Sequence, residues 1–430
     1  MSGFRQTMKT LIPILLIVIL VVSIAATYIS STSKNNAKPN PNSYIGVAFG
    51  GNTTQQAKLL IDRVQGYTNL FILDSGRNPI SANQTSVEEI CDYAVSKGLS
   101  VIINMGVKDI TDLEGKNYNW FWQQQTLDAI KQRWTQRWGD KFLGVYYNDE
   151  VGGVQVDANW AQWFQMYGDK LSQIDHPAAQ DENLIYQKML ATMQNGTLPQ
   201  NYDIEAKFFT DDVIKGDPGI QNLTAAGIPI FTSDYVLYWW NYLGGYNTMF
   251  AELGWNSSVA QQIALVKGAA RLQDKEWGTI ITWKYNQAPY LDSGDQIYNQ
   301  MLTSYEAGAN YIVVFDYPYV TGNTYGVLTD EQFLAMQRFW NDINNGKFVD
   351  YSAPNAALVL PHNYGWGMRS PNDTIWGFWS ADSKSVQIGS AVSTLLAKYG
   401  VSLDIVFEDQ TYPVSLGHYK EVYYWNQTIR

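Results

Sequence analysis

Thiols and imidazoles are nearly missing from this chain. Cys91 is its one cysteine, which excludes disulfides and thiolate metal centres. His176, His362 and His418 are its three histidines, too scattered for the usual histidine-rich zinc site. Positive charge is short as well. The chain carries 29 Lys and Arg against 40 Asp and Glu, a formal net charge of -11, so it has no basic face for nucleic acid. Disorder is excluded by the 46% hydrophobic and 14% aromatic content of its 430 residues, which can fill one large unit and a smaller one. Neutral partners fit this composition best, and no metal or cofactor is expected.

One uncharged run stands out at the start. Arg5 and Lys9 precede Leu11 to Ile29, nineteen residues without a charge and long enough to span a bilayer. Positive charge on its N-terminal side predicts a single-pass cell-membrane protein with the bulk of the chain outside. A signal peptide cleaved after Ser23 to Ala26 is the competing reading. The expected organisation is therefore a signal anchor over 1–30, a polar tether over 31–43, an α/β barrel over 44–348 and a small flavodoxin-like α/β unit over 349–430. Seven Asn-X-Ser/Thr triplets, at Asn52, Asn83, Asn195, Asn222, Asn256, Asn372 and Asn426, suit a glycosylated exterior.

Apolar, β-rich runs recur after the tether with amphipathic helical segments between them, the pattern of a parallel sheet covered by helices. Eight runs can be counted: YIGVAF from Tyr44, NLFILD from Asn69, LSVIINM from Leu99 and FLGVYYNDE from Phe142. The other four are AKFFTDD from Ala206, IPIFTSD from Ile228, GTIITWKY from Gly278 and YIVVFDY from Tyr311. Ser86 with Glu89, and Thr329 with Gln332, have capping-box spacing at helix starts. Eight such units over about 300 residues predict a (β/α)8 barrel. The choice over an open sheet rests on Asp74, Asn104, Glu150, Asp211, Asp234, Lys284 and Asp316, which all end strands, where barrel enzymes keep their chemistry.

Alternation along each run then predicts which side chains face the barrel. In the fourth run Leu143 and Val145 pack on helices, while Gly144, Tyr146, Asn148 and Glu150 point inward and Asp149 lies on the flank. Phe231, Ile281, Trp283 and Phe315 are expected outward, and Thr232, Asp234, Thr282, Lys284 and Asp316 inward. Aromatic residues crowd the segments after these strands, including Trp239, Trp240, Tyr285 and Tyr317, and flat rings beside carboxylates suit the C–H faces and hydroxyls of sugars. A strand-end acid can equally cap the next helix, and rings can equally be core.

With NDE at 148–150 after the fourth run and TWKYN at 282–286 after the seventh, the chain resembles the (β/α)8 glycoside hydrolases over Tyr44 to Asn345. Many retaining members carry Asn-Glu after strand four as acid/base and Glu after strand seven as nucleophile, and the second place is not Glu here. Barrels similar to the α-galactosidases use carboxylates after strands four and six, places that Asp149 or Glu150 and Asp234 would fill. The last eighty residues look like a shortened amidotransferase-like domain that follows the barrel in some β-galactosidases. The resemblance implies an extracytoplasmic glycosidase acting on a poly- or oligosaccharide. Its acid would be Glu150, with Asp234, beside Lys284, as nucleophile or base and Asp149 the alternative. Asp74, Tyr146, Asn148, Trp239, Trp240, Lys284, Tyr285, Asp316 and Tyr317 would hold the sugar. A non-catalytic glycan-binding or envelope protein is the main rival, and a Schiff-base aldolase using Lys284 the lesser one.

Overall fold

In a computed structural model, residues 43–75, 80, 83–104, 133–158, 177–194, 198–255, 257–317, 322–348 and 355–427 are described. The apolar run Leu11 to Ile29 and its tether lie outside them, and among the described residues no helix is long and apolar enough to cross a membrane.

Eight parallel strands close a barrel: β1 (Tyr44–Phe49), β2 (Leu70–Leu73), β3 (Ser100–Asn104), β4 (Phe142–Tyr146), β5 (Ile230–Asp234), β6 (Thr248–Leu253), β7 (Glu276–Ile281) and β8 (Tyr311–Asp316). β8 pairs with β1 in register from Tyr44 with Tyr311 to Phe49 with Asp316, which seals the cylinder. The expected total of eight strands stands, but the assignment of two does not. Ala206 to Asp212 is helical: α4 (Tyr202–Lys207) is capped by Asn201, whose side chain accepts from Ile204 N at 2.9 Å, and a π-helical turn (Phe208–Ile214) continues it. Asp211 faces outward there, in ion pairs with Lys207 and Lys215. The run from Ile228 is therefore the fifth strand, and the sixth is TMFAEL, hidden from sequence reading by the aromatic stretch before it.

The barrel is filled by Ala48, Leu70, Ile72, Ile102, Tyr146, Phe231, Phe250, Ile280, Tyr311 and Val313. Four of these are rings in contact: Phe250 stacks on Tyr146 at 6.5 Å and Phe231 at 5.9 Å, and Tyr311 meets Phe231 edge-on at 5.4 Å. This corrects three orientations. Phe231 and Phe315 point to the axis, so Thr232, Asp234 and Asp316 turn away from it. Leu143 also packs on the inner cluster, because β4 holds a bulge: Val101 pairs with Phe142 but Ile102 with Gly144, leaving Leu143 extra. Val145 faces the outer core as expected.

Around the barrel lie α1 (Thr54–Val64), α2 (Gln84–Ser96), α3 (Val151–Asp157), α5 (Tyr238–Gly244), α6 (Val259–Leu272), α7 (Gly294–Glu306) and α8 (Asp330–Asn344). α2 starts earlier than the Ser86/Glu89 box implies: Asn83 is its cap and accepts from Ser86 N at 3.1 Å. At α8 the Thr329/Gln332 box forms, with Gln332 accepting from Thr329 N at 3.0 Å.

Past the barrel, β9 (Ala356–Leu360), α9 (Ser383–Tyr399), β10 (Leu403–Phe407) and β11 (Glu421–Tyr424) make a second parallel sheet in the order β10-β9-β11. It shares the outer core of the barrel. α6 joins the two, since Lys267 and Arg271 reach Asp404 at 3.1 and 2.9 Å and both Lys267 and Asp404 are buried.

Candidate functional site

Each barrel strand delivers its last residues to one rim, and the alternation set by the inner rings decides which of them face the axis. On β6, Phe250 points inward, so Glu252 does too, at the rim and only 6% exposed. On β5 the inward Phe231 makes Ser233 the axial residue. On β4 the inward Tyr146 is followed by a backbone that departs from strand geometry: Asn148 and Glu150 both take left-handed conformations, with φ of 54° and 52°. Asn tolerates this readily and Glu much less so, and such departures cluster at functional sites.

That twist changes which carboxylate reaches the axis. Asp149, expected on the flank, accepts from the inward Tyr146 hydroxyl and lies 3.1 Å from Ser233 Oγ. Ser233 Oγ is also 2.6 Å from Glu252 Oε1 and 2.9 Å from Tyr146 Oη. A single serine hydroxyl thus stands between two carboxylates on β4 and β6, with the tyrosine hydroxyl closing the group. Burial pushes the Glu252 carboxyl well above its ordinary range, and the charges of Glu150 and Asp149 push it further in the same direction. Tyr146 is held protonated by its burial and by Asp149 and Asp74.

Glu150 and Glu252 line one cleft of about 470 Å³ with Asp157, Tyr235, Gly254, Trp255, Ser257, Gln262 and Arg369. One of these, Arg369, comes from the C-terminal region. Arg369 is clamped by Asp373 at 2.8 Å and Asp157 at 2.7 Å and lies over the Tyr235 ring at 5.4 Å. Tyr235 in turn donates to Asp157 at 2.6 Å.

Asp234 lies elsewhere than expected. Fully buried and turned off the axis, it accepts from the backbone N–H groups of Gly152 (2.6 Å), Gly153 (3.0 Å), Tyr235 (2.8 Å) and Val236 (3.2 Å) and from Asn241 Nδ2 at 2.8 Å. Burial raises it to about 7 against the pull of those donors. It holds the first turn of α3 to the β5 rim, and Lys284 is not its partner. Asp316, also off the axis and raised by burial to about 7, faces the backbone N–H groups of Val327, Leu328 and Tyr317. Trp239 and Trp240, expected to hold sugar, lie on α5 and are 2% and 1% exposed. They pack on Phe407 of β10 at 5.9 and 4.5 Å and so join barrel to C-terminal sheet.

The remaining expected residues sit on the rim outside the cleft lining. Asp74 is half-buried and accepts from Asn104 Nδ2 at 2.6 Å. The Asn148 carbonyl accepts from the Thr232 hydroxyl, which fixes the left-handed turn to β5. Lys284 is half-buried, Tyr285 is exposed, and Tyr317 stacks on Phe315 at 6.3 Å beside Trp283. Residues 318–321 of the aromatic loop after β8 lie outside the described residues. Sequence reading missed Glu252, Ser233 and Trp255. The signal for Glu252 was present, an apolar TMFAEL run ending in an acid, but the preceding helix YWWNYLG was read as loop. Among the described residues no cluster of His, Cys, Asp and Glu is placed to hold a metal ion.

The sequence matches no family model and no curated protein. Solved structures do resemble it. A GH5_18 protein from Streptomyces cattleya in complex with Manb1-4GlcNAc is 11% identical over 89% of this chain and 99% of its own, with a TM-score of 0.50. A β-galactosidase from the Antarctic haloarchaeon Halorubrum lacusprofundi is 11% identical over 89% of this chain and 68% of its own, with a TM-score of 0.52. A GH5_18 protein from Bifidobacterium longum subsp. infantis is 8% identical over 90% of this chain and 97% of its own, at 0.50. At these identities the likeness is one of fold: the chain has the parallel eight-stranded barrel architecture of these glycoside hydrolases.

Proposed function

We propose that the chain is a glycoside hydrolase acting on a poly- or oligosaccharide, with Glu252 as general acid and Asp149 as nucleophile or base. The observation that carries this reading is the Ser233 hydroxyl between Asp149 and Glu252 at the C-terminal rim of the barrel. A shared hydroxyl keeps the two carboxyl groups no farther apart than the roughly 5–10 Å that glycosidic pairs span. Their environments differ as the chemistry needs. Glu252, buried and beside two acids, keeps its proton and gives it to the departing glycosidic oxygen as the anomeric C–O bond breaks, its electron pair going to that oxygen. Asp149, oriented by Tyr146 and Ser233, attacks the anomeric carbon or takes a proton from the attacking water. Glu150 lines the cleft and helps to keep Glu252 protonated. Carboxylates after strands four and six are also the pair expected from the α-galactosidase-like barrels, with Glu252 in place of Asp234.

The proposal extends to location: Arg5 and Lys9 ahead of the uncharged run support a membrane-anchored protein with its barrel outside the cell. The test of function is a screen of aryl glycosides and oligosaccharides. On any substrate the wild type cleaves, E252Q and D149N are each expected to lower kcat at least 100-fold with KM little changed. Full activity of both variants would move the chemistry elsewhere, and binding without cleavage by the wild type would favour the glycan-binding reading.

A further inference from the structure

Trp255 is the one large aromatic side chain on the cleft that is well exposed, at 44%, among its described lining residues. It is held there at a cost. Its backbone is left-handed, with φ of 46°, a conformation that disfavours a bulky residue. The turn carrying it is clamped to the β7 end: Trp255 N donates to Trp283 O at 2.6 Å, and a Cβ on the preceding Gly254 would come within 2.3 Å of that same oxygen. Only glycine fits at 254, so the indole is presented from a rigid support. A strained, exposed, rigidly mounted indole beside Glu150 and Glu252 has no packing role that explains it.

The charge around it is one-sided. Glu150 and Asp157 line the cleft as carboxylates, beside a Glu252 that holds its proton, against one cation, Arg369, whose guanidinium is already engaged by Asp157 and Asp373. An anionic ligand would meet acids with no unengaged cation among the described lining residues to receive it.

We infer that Trp255 is the stacking platform that sets specificity in this cleft, and that the cleft takes uncharged saccharides and rejects uronic-acid glycans. Arg369 lines the cleft with Asp157 of α3, so the C-terminal region shapes the binding site and does more than pack on the barrel. The C–H face of a neutral pyranose lies on the indole, and Ser257 lines the same cleft. The inference takes its ligand class from the glycosidase reading, but its test does not need turnover.

The experiment measures binding with the E252Q chain, which cannot donate the proton, on an array of neutral and uronic-acid oligosaccharides. Neutral spots should be bound and uronic-acid spots left empty. Adding W255A should weaken neutral binding roughly tenfold or more, adding W255F should restore most of it, and thermal unfolding should be the same in all three. Binding to uronic-acid spots, no binding to any neutral spot, or unchanged binding by the W255A form would each overturn the inference. Failure of catalysis in the wild type with Trp255-dependent neutral binding intact would instead count against the glycosidase reading alone.

Discussion

Asp234 is fully buried and accepts five hydrogen bonds, so its removal takes the acceptor from buried N–H groups at the start of α3 and the end of β5. D234A should therefore cost about 3 kcal/mol or more in denaturant unfolding. A merely local loss of turnover, with stability unchanged, would return Asp234 to the catalytic group. Glu150 calls for the opposite measurement. Its charge raises the Glu252 carboxyl, so E150Q should lower that pKa and move the alkaline limb of the kcat profile to lower pH, since the acid then loses its proton sooner. An unmoved limb would mean that another group controls it. Three acids within reach of one rim thus separate by what faces them: amides for Asp234, hydroxyls for Asp149, and other carboxylates for Glu252.

Among the elements, β4 places the site, and its bulge at Leu143 is what lets a strand of five residues carry both an inward Leu143 and an outward Val145 two residues later. Gly144 sits in that bulge with φ of 148°, and a Cβ there would approach Pro229 O to 2.3 Å and the Phe231 ring to 2.8 Å. G144A is expected to destabilise the fold by about 2 kcal/mol or more, with a larger relative loss of activity, because it pushes β4 off β5 where Asp149 meets Ser233. Equal stability of G144A and wild type, read from unfolding midpoints, would remove the bulge from this account. The helices were read better than the strand faces. The Thr329/Gln332 box lies where its spacing indicates, because a cap is a contact between residues three apart and needs no tertiary partner.

At the scale of the whole molecule, several buried carboxyl groups hold protons in the fold. Glu205 on α4 is fully buried, has Gln155 as a partner at 2.9 Å, and is raised by burial from 4.5 to about 8. The folded state therefore binds more protons than the unfolded chain between those values. Stability from this group is complete below about 4.5 and is lost as pH rises toward 8, and Asp234, Asp316 and Glu252 act in the same direction. The melting temperature should fall between pH 5 and pH 8, and E205Q, which stays neutral throughout, should flatten part of that slope. A melting temperature that rises over this range would contradict the assignment. The junction between barrel and C-terminal sheet is open to a similar measurement: D404A leaves Lys267 buried without its counter-charge and should cost roughly 3–5 kcal/mol.

Its total of eight strands counted the Ala206 helix and missed TMFAEL, but the sequence by itself determined the class of architecture, the acidic balance and the place of the NDE segment after a strand. Each of these follows from local pattern: apolar runs at strand length, caps at fixed spacing, and polar residues where a run ends. It could not decide which strand-end acids face the axis. Barrel strands are buried on both sides, so IFTSD and YIVVFD carry no polar–apolar alternation that marks an inner face, and a one-residue error reverses every assignment in the strand. Closure of the sheet decided it, because Tyr146, Phe231, Phe250 and Tyr311 all enter the barrel and pack on one another there. That packing turned Asp234 and Asp316 outward, brought Ser233 and Glu252 to the axis, and left Trp239 and Trp240 between two sheets, placements fixed by contacts between residues far apart in the chain.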